Sequence, residues 1–285
     1  MAEYADGYWW SKDGLRLHYR DYPGPSDRPA VLCIPGLIRN ARDFERLAPH
    51  LAKDRRVIVL ELRGRGESAY AKDPMTYVPL TYLQDIEALL IDQQLEKIIA
   101  IGTSLGGLLT MLLAATDHGR LAGAVLNDIG PAIEADGIAR IRTYVGKAQN
   151  WPTWLHAARA LAETNAAAFP DYRLDDWLVM AKRRARLTPG GRIVPDYDMK
   201  IAEPFRLPGG ESGVDLWPAL DALKDVPTLL IRGERSDVLS CATFEKMQRR
   251  LAKATAITLP RIGHAPTLDE PDSVAAIDQL IARVG

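Results

Sequence analysis

The chain has 285 residues, 47% hydrophobic and 26% charged, which supplies a buried core and excludes a disordered, collagen-like or coiled-coil chain. Lys and Arg total 36 against 37 Asp and Glu, and a net charge of −1 lacks the basic excess of a nucleic-acid binder. Only Cys33 and Cys241 occur, the longest apolar run (Leu108–Ala115) is too short to span a bilayer, and the first ten residues lack a basic start followed by an apolar stretch, so a cytoplasmic protein without a membrane span is expected.

Taken in chain order, Leu15–Tyr19 follows an Asp13-Gly14 turn signal and alternates like a half-buried strand. Ala30–Ile34, Val57–Leu62, Lys97–Ile101 and Gly123–Asn127 are short apolar runs of the kind buried on both faces of a parallel sheet. Helix patterns separate them. Asn40 can cap one with Phe44, Leu47 and Leu51 on a common face, and Thr81 another with Leu83, Ile86 and Leu90. A third runs from Leu105 to about Thr116. Such alternation predicts an α/β protein with a doubly wound, mostly parallel sheet.

The rhythm changes at Pro131. Residues 131–217 show no convincing buried strand, several short helical patterns, and nine of the twenty aromatic residues, among them Trp151, Trp154, Trp177 and Trp217. Most of these aromatics are expected to form that segment's own small core. Then the α/β rhythm resumes with a strand at Pro227–Arg232, a helix at Thr243–Leu251 and a strand at Thr255–Leu259. Glu270-Pro271 opens a last helix carrying Val274, Ile277 and Ile281. The simplest division is an α/β core from residues 1–130 and 218–285, interrupted by a helical insertion at 131–217.

The sharpest chemical motif is Gly102-Thr103-Ser104-Leu105-Gly106-Gly107, placed between a strand and a helix. A Gly-x-Ser-x-Gly at that junction holds the serine in a strained turn with its hydroxyl above the sheet. A serine hydroxyl needs a base to take its proton, and the base needs a carboxylate to orient it. Of five histidines, His264 in Gly263-His264-Ala265-Pro266 alone falls on a loop between the last strand and the last helix. For the acid, Asp237 is favoured, because it follows the strand ending at Arg232 and both loops can emerge at the sheet's carboxyl edge. Asp128, at the end of the strand before the insertion, is the competitor, and Glu234 a weaker third.

The order Ser104, Asp237, His264 resembles that of the α/β-hydrolase superfamily, and the resemblance spans nearly the whole chain. It implies an oxyanion hole built from the N–H groups of Leu37, in the Pro35-Gly36-Leu37-Ile38 loop, and of Leu105. The common family pattern has histidine before that glycine where this chain has Pro35. Glu61-Leu62-Arg63-Gly64-Arg65-Gly66-Glu67-Ser68 resembles a structural family segment. Serine at position 104, where dehalogenase-like and epoxide-hydrolase-like members carry aspartate, points to acyl chemistry in the capped esterase and lipase branch. The resemblance thus implies a cofactor-free serine hydrolase, with no metal site, acting on a small-molecule ester under a helical cap. Acyl transfer, lactone or carbon–carbon cleavage on the same triad, and a non-catalytic ligand receptor, are the competing functions. Nothing in the sequence fixes an oligomeric state.

Overall fold

The computed structural model describes residues 3–204 and 215–284. Strands β1 (Ala5–Trp10), β2 (Arg16–Tyr22), β3 (Ala30–Ile34), β4 (Val57–Glu61), β5 (Ile98–Thr103) and β6 (Leu121–Asn127) come first. A separate hairpin, β7 (Ala185–Leu187) and β8 (Ile193–Pro195), precedes β9 (Thr228–Gly233) and β10 (Ala254–Leu259). Eight of these strands form one sheet in the order β1-β2-β4-β3-β5-β6-β9-β10. Only the β1–β2 and β2–β4 pairs are antiparallel; every other neighbouring pair in that sheet is parallel.

The helices are α1 (Leu47–Leu51), α2 (Pro79–Asp92), α3 (Leu105–Thr116), α4 (Ala135–Tyr144), α5 (Trp154–Asn165), α6 (Leu174–Arg184), α7 (Trp217–Asp221), α8 (Cys241–Arg250) and α9 (Pro271–Val284). They cover both faces of the sheet, which is why β3 to β6 are apolar at nearly every position. Successive residues of β3 point to opposite faces. Leu32 and Ile34 join a core with Ile86 of α2, Leu109 of α3, Leu220 of α7 and Met247 of α8. Val31 and Cys33 join the other, with Leu47 of α1 and Ile277 and Leu280 of α9. Among the described residues no helix is long and apolar enough to cross a membrane.

Several elements differ from expectation for local reasons. β1 escapes a hydrophobic pattern because it is an edge strand: Trp9 is buried, whereas Tyr8 and Trp10 face outwards. Thr81 caps nothing, since α2 starts at Pro79, whose fixed φ suits the first helical position and whose missing N–H is not needed there. Asn40 does accept a capping bond, from the Arg42 N–H at 3.0 Å, but it caps a 3-10 turn, Ala41–Phe44, and α1 is separate. Ser240, three residues before the expected start, accepts from Thr243 N–H and caps α8.

Between β6 and α7 the chain forms α4, α5, α6 and the short hairpin, each strand of which has only three residues. Residues 205–214 of the expected insertion lie outside the described residues. Phe169, Trp177, Met180 and Ile193 form a small core of this segment, with Trp151 and Trp154 packed on it, whereas Trp217 packs on the main core. At the sheet's carboxyl edge β5, β6, β9 and β10 end side by side, so the loops that follow them converge.

Candidate active site

Ser104 sits where β5 turns into α3, with φ 52° and ψ −116°. That left-handed backbone costs a non-glycine residue about 1–3 kcal/mol and persists because its surroundings fix it. The Ser104 N–H donates to Asn127 O at 2.9 Å, tying the turn to the end of β6. A Cβ on Gly102 would lie 2.3 Å from Gly106 O, and one on Gly106 would lie 2.0 Å from Ile34 O. Both glycines are therefore dictated by the tight approach of turn, helix and β3.

The Ser104 hydroxyl lies 2.9 Å from His264 Nε2, and His264 Nδ1 lies 2.8 Å from Asp128 Oδ2. A carboxylate only accepts, so Nδ1 carries the proton and Nε2 is left to accept from the serine hydroxyl. Asp128 is fully buried and has φ +56°. Its Oδ2 also accepts from the Ser236 hydroxyl at 2.7 Å, and its Oδ1 from the Gly233 N–H at 2.8 Å. Ser236 Oγ in turn accepts from the Leu239 N–H at 3.0 Å, which fixes its proton on Asp128. Asn127 donates to Pro266 O at 2.9 Å and so anchors the histidine loop.

Asp237 does not contact His264; the carboxylate on the histidine is Asp128. This corrects the sequence assignment, and the reason lies in the strand order. Because β9 separates β6 from β10, the loop after β10 crosses the tip of β9 on its way to Ser104. Gly233 makes room: a Cβ there would sit 2.5 Å from Ile262 O and 2.8 Å from Gly263 O. The crossing carries the imidazole to the end of β6. Asp237 instead makes a bidentate pair with Arg140 of α4. Burial works to raise its carboxyl, but the Arg140 hydrogen bonds and charge outweigh this and hold it below the ordinary aspartate value of 3.8. Glu234 is exposed and accepts from the Arg261 N–H at 2.7 Å.

Leu37 and Leu105 both stand beside the serine. Gly36, Leu37, Ser104 and His264 line one small cavity, and a Cβ on Gly36 would be 3.7 Å from Ser104 Cβ. Leu105 is the first residue of α3, so its N–H has no partner within the helix. Arg65, buried in the Gly64-Arg65-Gly66 segment, donates to Leu37 O at 2.8 Å and holds that loop. The rest of the segment is structural as well: Arg63 pairs with Asp85 and Asp13, and Glu61 with His18. Ile141, Tyr144, Val145, Asn165 and Arg184 supply part of the wall from the inserted segment. The Gly263 N–H donates to Ala168 O at 2.6 Å, joining the histidine loop to that segment.

Sequence reasoning missed Ser236 and Arg184. Ser236 lies one residue from the favoured Asp237, and only the three-dimensional path of the loop separates a donor to the acid from the acid itself.

A family model described as alpha/beta hydrolase family matches residues 31–277. Over 273 residues the chain is 30% identical to a 3-hydroxybutyrate-oligomer hydrolase of Cupriavidus necator, covering 93% of this chain and 92% of that protein. It is 35% identical over 280 residues to the lipase LipV of Mycobacterium tuberculosis, covering 92% and 96%. A crystal structure of an alpha/beta hydrolase from Novosphingobium aromaticivorans superposes with a TM-score of 0.96 at 59% identity, covering 99% of each chain. With these matches, the elbow at Ser104 and the mostly parallel sheet, the chain belongs to the alpha/beta hydrolase family and is a hydrolase.

Proposed function

We propose that the protein is a serine hydrolase that cleaves a carboxylic ester through an acyl-enzyme, with Ser104 as nucleophile, His264 as base and Asp128 as the orienting acid. The observation that carries this reading is the unbroken hydrogen-bonded run from Ser104 through His264 to Asp128. His264 Nε2 takes the hydroxyl proton as Ser104 Oγ bonds to the carbonyl carbon. The oxyanion that forms is met by the N–H groups of Leu37 and Leu105, the latter at a helix N-terminus whose dipole favours negative charge. Collapse of the intermediate expels the alcohol, which receives that proton. Water, deprotonated in turn by His264, then releases the acid and restores Ser104.

The described residues of the insertion act as a cap over the site, supported by those they contribute to the cavity. The names of two relatives, a 3-hydroxybutyrate-oligomer hydrolase and a lipase, support an ester as the bond cleaved. The free thiols of Cys33 and Cys241 support a reducing, cytoplasmic setting.

A fluorophosphonate probe and a panel of esters graded in acyl and alcohol length test the reading. Label is expected on Ser104 alone, and Ser104→Ala is expected to lose on the order of 10³-fold or more in kcat. Labelling elsewhere, or an active Ser104→Ala variant, removes the proposal.

A further inference from the structure

The cavity that holds Ser104 and His264 is small, about 50 Å³, and none of its described lining residues is acidic. Two are arginines. Arg39 follows the Leu37 loop and has Asp43 as partner at 3.3 Å. Arg184 ends α6, and its Nε is shut off from solvent without a hydrogen-bond partner. Its neighbour Arg183, by contrast, pairs with Glu45 at 2.9 Å and with Asp269 at 2.7 Å. Among the described residues no carboxylate lies within 4.0 Å of the Arg184 guanidinium. Burial, together with the charge of Arg39, pulls that guanidinium down to about 9, against the smaller opposing pull of Asp43, Tyr144 and Tyr172. Arg184 itself is partly exposed to the cavity, its buried Nε lacks the partner it would have in water, and a planar guanidinium is shaped for the two oxygens of a carboxylate. Ile141 and Val145 add apolar wall to the same cavity, suited to a few methylenes.

We infer that Arg184, with Arg39 beside it, receives a carboxylate of the substrate, so that the ester cleaved at Ser104 belongs to a molecule bearing a second, free acid group. This rests on the ester-hydrolase reading for its reaction, and its test is arranged so that the two can fail separately.

The kinetic arm compares monoethyl succinate with its uncharged amide isostere. The wild-type protein is expected to prefer the half-ester in kcat/KM, and Arg184→Gln to shrink that preference by about 10- to 10²-fold, the range of a hydrogen-bonded charge. Arg184→Lys, which keeps the charge but loses the fork, falls between. No wild-type preference, or an equal fall for both esters, overturns the inference. The binding arm needs no turnover: succinate is titrated calorimetrically into Ser104→Ala with and without Arg184→Gln. Binding that depends on Arg184 is expected, and inorganic phosphate is expected to bind more weakly. Tighter phosphate binding overturns the carboxylate assignment. Succinate binding without turnover of any ester leaves the anion site standing and defeats the ester reading. Ester turnover with neither preference nor succinate binding does the reverse.

Discussion

The loops that leave β6 and β9 follow neighbouring strands of the sheet, and each offers an aspartate. At β6 the aspartate follows the strand directly, is fully buried, and accepts from a ring N–H, a hydroxyl and a backbone amide. At β9 the aspartate comes four residues later, is 32% exposed, and faces an arginine of α4. The first is aimed by the sheet and the second by the inserted segment. Position in chain order therefore does not say which carboxylate meets the imidazole; the path of the histidine loop does.

Exchanging the carboxylates for amides is the severest trial of this contrast. Asp128→Asn keeps the shape but favours the wrong imidazole tautomer, and kcat is expected to fall by about 10²- to 10⁴-fold with a smaller change in KM. If Asp237→Asn is the crippled variant instead, the assignment here is wrong. Next in size is Gly233→Ala. Its methyl would meet backbone atoms of Ile262 and Gly263, so the histidine loop must shift, and a displacement of that kind costs about 10²-fold in kcat. Wild-type turnover by this variant would show that the crossing tolerates a side chain.

Ser236→Ala removes one donor to the buried carboxylate, worth about 1.5 kcal/mol, so a roughly tenfold loss in kcat is expected. Steady-state kinetics at neutral pH measures it, and an unchanged kcat would demote the hydroxyl to a bystander. The smallest effect belongs to Asp237→Asn, with kcat within about threefold of wild type and a stability loss of about 0.5–1 kcal/mol for a partly exposed pair. The folded-state carboxyl lies below its ordinary value of 3.8, so this contribution is complete above that value and disappears as pH falls through it to the lowered one. The melting-temperature difference between variant and wild type is therefore expected to be smaller at pH 3 than at pH 7.

Much of this molecule could be read from residue order. The parallel strands are short apolar runs because both faces are covered, and β3 has the expected limits Ala30–Ile34. Helix α3 spans the expected Leu105–Thr116, with Gly102 before it and Gly106 within its first turn allowing the close strand–turn–helix junction. The turn at Ser104 and the loop at His264 follow from the same local logic, and the structure brings the two side chains together. What could not be read depends on paths through space. Asp128 and His264 are 136 residues apart, and their meeting is set by how a loop crosses β9. Strand β1 hides because an edge strand buries one aromatic and exposes its neighbours. Arg184 looks like any helix-ending arginine until the absence of a described partner is seen.

The hydrogen bond from Gly263 to Ala168 has a consequence for how such a protein can change. The residue before the histidine is fastened to the segment that lines the substrate cavity, and a Cβ at Gly263 would lie 2.7 Å from that of Ala168. On the proposed mechanism, selectivity and proton transfer thus share one joint. On that mechanism the described part of the insertion is not an exchangeable cassette: grafting the corresponding stretch from a relative is expected to reseat His264 along with the cavity, so that new specificity has to be selected together with a compensating change at residues 261–266.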